Sequence, residues 1–177
     1  MLSNRIALID DCPQIEGLMS ISIAKLLGGM LNSEQLEAAN ESMGLDTQLI
    51  KDSTYFLVYK KKELVGVGGF SSRKTLFGGN HTPNRSDDLL IPGKDSAKIR
   101  AMYTHPSHTR MGVGTYILKL AEKESAKLGF KKFELMATVS GILLYEKRGY
   151  SIDEEITYVS KKGNKVPMYK MIKDLND

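Results

Sequence analysis

The chain of 177 residues has one cysteine, Cys12, so no intrachain disulfide can staple it. A lone thiol fits a reducing compartment, and a cytoplasmic location is expected. The sequence also lacks any run of roughly 18 apolar residues of the kind that spans a bilayer. Its short apolar start, Ile6 to Ile9, is stopped by Asp10-Asp11, which argues against a signal peptide and against membrane association. Charge of one sign is not in excess either, with 25 Lys and Arg against 21 Asp and Glu and a net +4. That surplus is spread out apart from short clusters such as Lys60-Lys61-Lys62, so it tolerates anionic ligands but gives nucleic acid no strong footprint. Internal repeats, low-complexity tracts and linkers are missing too. What remains is an ordinary globular composition, 41% hydrophobic and 26% charged. It excludes disorder and fibrous architectures, and the length suits one domain over residues 1–177 with a single core.

Local patterns supply the elements. Arg5 to Ile9 is apolar enough for a first strand, and Asp10-Asp11-Cys12-Pro13 offers a carboxylate cap with a proline suited to a first helical turn. Ile15, Leu18, Met19, Ile23, Leu26 and Leu27 then recur at helical spacing up to Gly28-Gly29. A second helix is expected from a Ser33 cap through Leu36, Ala39 and Met43. Thr54 to Lys60 and Leu64 to Phe70 read as a hairpin, and Gly78 to Ser96, without periodicity, reads as a long mobile loop. Ala97 to Thr104 is a strand, Thr109 to Leu128 the clearest helix, Lys132 to Ala137 a strand, and Ile142 to Lys147 a short helix. Ile152 to Tyr158 and Val166 to Ile172 close the chain as a hairpin around Gly163-Asn164. The expected order is βααβββαβαββ.

One stretch carries the most chemistry, Tyr103-Thr104-His105-Pro106-Ser107-His108-Thr109-Arg110-Met111-Gly112-Val113-Gly114-Thr115. Here a strand passes into a helix through a glycine-bearing turn. The first N–H groups of a helix have no intrahelical partner and sit at the positive end of its dipole, which suits a phosphate or pyrophosphate. Gly112 and Gly114 let a bulky diphosphate approach the main chain. Two familiar phosphate loops fail here. A dinucleotide fingerprint needs a third glycine at Ile117, and a P-loop needs a glycine at Asp88 and Ser or Thr at Asp95.

The chain resembles the GNAT-type N-acetyltransferase superfamily over nearly its whole length, and two motifs carry the likeness. The first is the acetyl-CoA turn, Gln or Arg, two residues, Gly, one residue, Gly or Ala, here Thr109-Arg110-Met111-Gly112-Val113-Gly114. The second, after the next strand, is Thr138-Val139-Ser140-Gly141-Ile142-Leu143-Leu144-Tyr145-Glu146-Lys147-Arg148-Gly149-Tyr150. It is similar to the family's Asn-x-x-Ala-x-x-Leu-Tyr-Glu-Lys-x-Gly-Phe. Four positions depart from the pattern: Thr109 in place of Gln or Arg, Thr138 in place of Asn, Gly141 in place of Ala, and Lys98 where several members place a glutamate base.

The resemblance implies an α/β (α+β) domain with a mixed, mostly antiparallel sheet flanked by helices. It implies an acyltransferase that moves an acetyl group from acetyl-CoA, its cosubstrate, to a primary amine in a ternary complex. The N–H of Met102 would bind the thioester carbonyl and that of Thr104 the pantetheine. Thr109, Arg110, Met111, Gly112, Val113, Gly114, Thr115 and Thr138 would complete the cofactor site. Tyr145 would be the general acid for the leaving thiolate as well as a cofactor contact. A base is open among Asp95, Glu134, Asp87 and Asp88. The expected partners are acetyl-CoA and an amine acceptor, small molecule or peptide, without a membrane or nucleic acid, and a homodimer is left open. A regulatory module that binds acyl-CoA without catalysis, or a transferase acting on an aminoacyl-tRNA amine, are the rival functions.

Blander readings stand beside these. Tyr145 could be a core aromatic, Arg110 a solvent-facing residue and Cys12 an inert thiol. His105 and His108, three residues apart, lack a nearby third Cys or His, so no metal is expected.

Overall fold

The computed structural model describes residues 1–175. Asn176 and Asp177, the end of the expected domain, lie outside the described residues. Strand β1 (Leu2–Ile6) comes earlier than the apolar run Arg5 to Ile9 suggests. The Asp11 carboxylate accepts the Leu8 N–H at 2.8 Å and grips the Arg5 guanidinium at 2.6 and 2.7 Å. That clamp pulls the chain out of the sheet and into a 3₁₀ turn at Ile9–Asp11.

Helix α1 (Cys12–Ser22) follows with Pro13 in its first turn and buries Ile15, Leu18 and Met19. It runs on through a π turn at Ile23–Leu27. Helix α2 (Ser33–Ser42) is capped one residue earlier than expected. The Asn32 side chain accepts the Gln35 N–H at 2.8 Å while Gln35 accepts the Asn32 N–H at 3.0 Å, a reciprocal capping box. A third helix, α3 (Thr47–Lys51), is absent from the expected order, because five residues are too few to show a period.

Strands β2 (Tyr55–Lys60), β3 (Glu63–Ser71) and β4 (Ala97–Thr104) form a meander, helix α4 (Val113–Lys127) leads to β5 (Lys132–Ala137), and α5 (Ile142–Glu146) precedes the hairpin β6 (Ser151–Val159) and β7 (Lys165–Asp174). The seven strands lie in the order β1-β2-β3-β4-β5-β7-β6. Every pairing is antiparallel except β4 with β5, so the mixed, mostly antiparallel sheet is as expected.

Both faces of the sheet are covered. On one, Tyr55, Leu57, Val67 and Tyr103 pack with α1 and α2 residues such as Ile15 and Ala38. On the other, Phe56, Ile99 and Phe133 pack with Leu118 and Ala121 of α4. Adjacent β2 residues therefore feed opposite cores, which is why the strand reads as one apolar run without alternation. Helix α4 sits close because β3 presents glycine beneath it. A Cβ on Gly66 would lie 2.6 Å from Val113 Cγ1, and one on Gly68 2.5 Å from Ile117 Cγ2.

Gly78 to Ser96, expected to be a mobile loop, belongs to a segment, residues 72–96, that is strapped down. Arg73 donates to both Asp52 oxygens at 2.7 and 2.9 Å, and Leu90 N–H donates to Ser72 O at 2.8 Å. The buried Thr82 hydroxyl donates to Glu41 O at 2.8 Å. These anchors are polar and distant in sequence, so a search for apolar periodicity does not register them.

Candidate active site

β4 and β5 are paired only at Ala97 with Phe133 and Lys98 with Glu134. Beyond that point they part, and a gap opens between Ile99 to Thr104 and Leu135 to Ala137. At its mouth Ala101 takes φ 50°, a left-handed conformation costly for a residue with a Cβ. The register slips there against β3, so Ala101 is the bulged residue. The buried Tyr55 hydroxyl donates to Ala101 O at 2.8 Å and holds the bulge. Past it the ladder resumes, with His105 N–H donating to Val65 O of β3 at 2.9 Å. Alternation from His105 turns the Thr104 N–H away from β3, and Met102 lies next to the bulge.

The glycine turn occupies the end of the same strand. Helix α4 starts at Val113 rather than Thr109, because Pro106–His108 first forms a 3₁₀ turn and the left-handed Arg110 (φ 61°) and Gly112 (φ 82°) then reverse the chain. The first intrahelical bond is Tyr116 N–H to Gly112 O at 2.9 Å, which leaves the N–H groups of Val113, Gly114 and Thr115 available. Nothing lies within 4 Å of a Cβ built on Gly112, so the cradle is open to a ligand. The Thr109 hydroxyl donates to Pro106 O at 3.1 Å and braces the turn, Arg110 and Met111 are exposed, and the Val113 side chain belongs to the core.

The two motifs meet physically. A Cβ on Gly114 would lie 2.8 Å from Leu144 Cδ2, so glycine there lets α4 approach α5. Gly141 makes room in the same way, since its Cβ would sit 2.8 Å from Tyr145 Cε2. Ring and glycine thus fit each other, which gives the departure at 141 a physical reason. Thr138 shares a hydrogen bond with Ser140 at 3.1 Å at the entrance to α5.

Behind the gap is a cavity whose lining includes Met43, Phe77, Met102, Tyr103, Tyr145 and Met168. The Tyr145 hydroxyl points to Met102 Sδ at 3.8 Å, and burial pushes its phenol well above the ordinary range. Burial also raises Tyr103 to about 12, and its hydroxyl accepts the Gly44 N–H at 3.2 Å. Both phenols stay protonated at neutral pH and can act as donors, not as bases.

No carboxylate lines the cavity among the described residues. Burial would raise Glu134, but its ion pairs with Lys98 and with Lys170 at 2.9 Å hold it below the ordinary range, at the end where the strands are still paired. Lys98 is thus the ion-pair partner of Glu134, not a base. Asp95 accepts the Ile91 N–H at 2.7 Å and Asp88 pairs with Lys74 at 3.0 Å, while Asp87 is likewise absent from the cavity lining.

The charged group on the cavity wall is Arg100, which is 3% exposed. It donates to Thr75 O at 2.9 Å, Gly78 O at 2.7 Å and Asp46 at 2.8 Å. Asp46, itself 2% exposed, also holds Arg85 at 2.8 Å and accepts the Gln48 N–H at 3.0 Å. Desolvation lowers the Arg100 pKa from its ordinary value. The pairings of Asp46 with Arg85 and Arg100 follow no local spacing, and neither do the Tyr55 strut and the Ala101 bulge. No signal in the sequence marks them. Among the described residues no helix is long and apolar enough to cross a membrane.

A family model described as the acetyltransferase (GNAT) family matches residues 26–150. The fold is similar to that of a GCN5-related N-acetyltransferase from Rhodopseudomonas palustris, with 20% identity, 98% of this chain and 95% of that one covered, and a TM-score of 0.71. It is also similar to YncA from Salmonella typhimurium with its cofactor acetyl-CoA, at 16% identity, 100% and 95% coverage and a TM-score of 0.63. The PaiA N-acetyltransferase of Thermoplasma acidophilum in complex with coenzyme A aligns at 15% identity, 98% and 99% coverage and a TM-score of 0.62. No curated protein sequence matches the chain.

Proposed function

The chain belongs to the GNAT acetyltransferase family, and from that premise we propose that it transfers an acetyl group from acetyl-CoA to a primary amine by direct attack in a ternary complex. The observation that carries this reading is the gap between β4 and β5, where Met102 and Tyr145 line one cavity. Acetyl-CoA supplies the activated thioester. The N–H groups of Val113, Gly114 and Thr115 and the open face of Gly112 cradle its diphosphate, with Arg110 beside them. Met111 and Thr109 shape the turn, Thr104 N–H takes the pantetheine arm, and Thr138 borders it at the start of α5.

Met102 N–H donates to the thioester carbonyl. A fixed donor there favours the negative charge that grows on the oxygen as the amine attacks, an effect typically worth about 3–4 kcal/mol per donor. Tyr145 gives its proton to the departing sulfur, a role its raised pKa suits at neutral pH. An alkylamine is mostly protonated at neutral pH, so it must lose a proton before it attacks. With no carboxylate on the wall, water takes that proton.

Three segments border the acceptor side: Ser42 to Gly44 after α2, Leu76 to Gly78 of the strapped loop, and Met168 of β7. None of them brings an acidic side chain to the cavity, which suits a small or peptide amine better than a polyamine. The test is Tyr145→Phe, with kcat, the acetyl-CoA Kd and Tm measured on both proteins against a panel of amines, following thiol release. The expected result is a kcat lower by about 10²–10⁴-fold with Kd and Tm unchanged. Unaltered kcat in the variant would remove Tyr145 from the role. A wild type that binds acetyl-CoA but turns over no amine would favour the regulatory module.

A further inference from the structure

His105 and His108 have no part in the proposed transfer, and the fold supplies the third group that their spacing lacks. β3 begins at Glu63, and β3 and β4 are neighbours, so the start of β3 lies beside the turn that follows β4. One ligand atom each from Glu63, His105 and His108 lie within 4.8 Å of one another, the only such group of His, Cys, Asp or Glu among the described residues. The two imidazoles meet edge to face at 5.7 Å between centroids.

The His108 side chain is 12% exposed, yet its Nδ1 has no hydrogen-bond partner among the described residues and its Nε2 stops 3.6 Å from Glu63 Oε2. Buried polar atoms are normally satisfied, so this ring carries unspent capacity. Its backbone is fixed, because His108 N–H donates to His105 O at 2.8 Å and His105 N–H to Val65 O at 2.9 Å.

We propose that Glu63, His105 and His108 form a divalent-cation site of the zinc type. Two imidazoles and a carboxylate are a donor set zinc accepts, with water in the fourth position. Zinc at about 2.0–2.1 Å from each ligand needs the three atoms roughly 3.4 Å apart. The closure falls mainly on Glu63, whose side chain is 57% exposed and free to move. His105 Nδ1 accepts the Ser107 N–H at 3.2 Å, so zinc at Nε2 shifts the ring proton to Nδ1 and releases that contact. An ion held here ties the β2–β3 hairpin to the segment just before the glycine turn.

The experiment titrates the metal-free full chain with zinc by calorimetry, without coenzyme A, whose thiol would compete for the metal. Cobalt is used in parallel for its visible absorption. The expected result is one zinc per chain and a zinc-dependent rise in Tm. Glu63→Gln, on an exposed residue that cannot unfold the protein, should weaken binding at least about tenfold, since loss of an outer-shell partner alone costs 10–100-fold. His105→Ala with His108→Ala should abolish it. No saturable binding to the wild type would overturn the proposal. So would zinc affinity that is equal in wild type, Glu63→Gln and the double histidine variant, because the ion would then sit elsewhere.

Discussion

Replacing Asp46 by alanine removes the one carboxylate between two guanidinium groups, and the size of the effect follows from burial. Arg100 is 3% exposed and Asp46 is 2% exposed, so the variant strands a charge that water cannot reach. Breaking a buried pair from one side costs about 3–5 kcal/mol. Arg85 adds little, since its side chain is 21% exposed and solvent shares the load. Loss of the cap on α3 adds about 1 kcal/mol, which Asp46→Asn would retain. At about 2–4 °C per kcal/mol for a chain of this size, Asp46→Ala should melt roughly 8–24 °C below the wild type. Arg100 also fastens Thr75 and Gly78, so limited proteolysis between Gly78 and Ser96, slow in the wild type, should accelerate. The decisive assay is a double-mutant cycle with Arg100→Met. If the stranded charge is the cause, adding Arg100→Met to Asp46→Ala should return part of the lost stability, because an apolar replacement of a buried pair is often neutral. A loss below about 1 kcal/mol for Asp46→Ala, or strict additivity in the cycle, would refute the reasoning.

The parts legible in the sequence are those whose chemistry is local. Gly112 is favoured as glycine because its φ of 82° strains a residue with a Cβ, and the Gly114 and Leu144 contact joins two motifs whose internal spacings are set by one strand-to-helix turn and one short helix. The number of strands followed from apolar runs and turn residues, and the sheet type from the resemblance to the family. The strand that makes the site, Ala97 to Thr104, has the expected bounds, but its bulge leaves no mark in the sequence, because it changes the backbone at Ala101 without altering the residue pattern on either side. Its stabiliser, Tyr55, lies on another strand. The Asp46 cluster and the Glu63 approach to His108 are also contacts between elements far apart in sequence. The strap over residues 72–96 works through arginine forks and a buried threonine, so its composition resembles that of a free loop.

Three further outcomes test the structure. Gly141→Ala places a Cβ 2.8 Å from Tyr145 Cε2 and must turn the ring, so kcat should fall by about 10–10²-fold with acetyl-CoA affinity retained; wild-type kcat would show that the ring's position is not critical. Tyr55→Phe leaves Ala101 O without its donor, at a cost of about 1–3 kcal/mol, and should lower Tm by about 2–12 °C, which a thermal melt reads directly. The last concerns acid. The Arg5 hydrogen bonds hold the Asp11 carboxyl at about 2 against an ordinary 3.8. A depressed folded-state pKa means that the ion pair contributes fully above pH 4, and that its contribution drains away as the pH falls from about 4 to about 2. The shift caps that contribution at about 2 kcal/mol, and because the Arg5 side chain is 44% exposed, solvent screening reduces it to about 1 kcal/mol. Asp11→Asn should therefore be less stable than the wild type at pH 7, and the gap between the two should close between pH 4 and pH 2 in urea melts. A gap that stayed constant across that window would mean that Asp11 acts through packing and its Leu8 contact rather than through its charge.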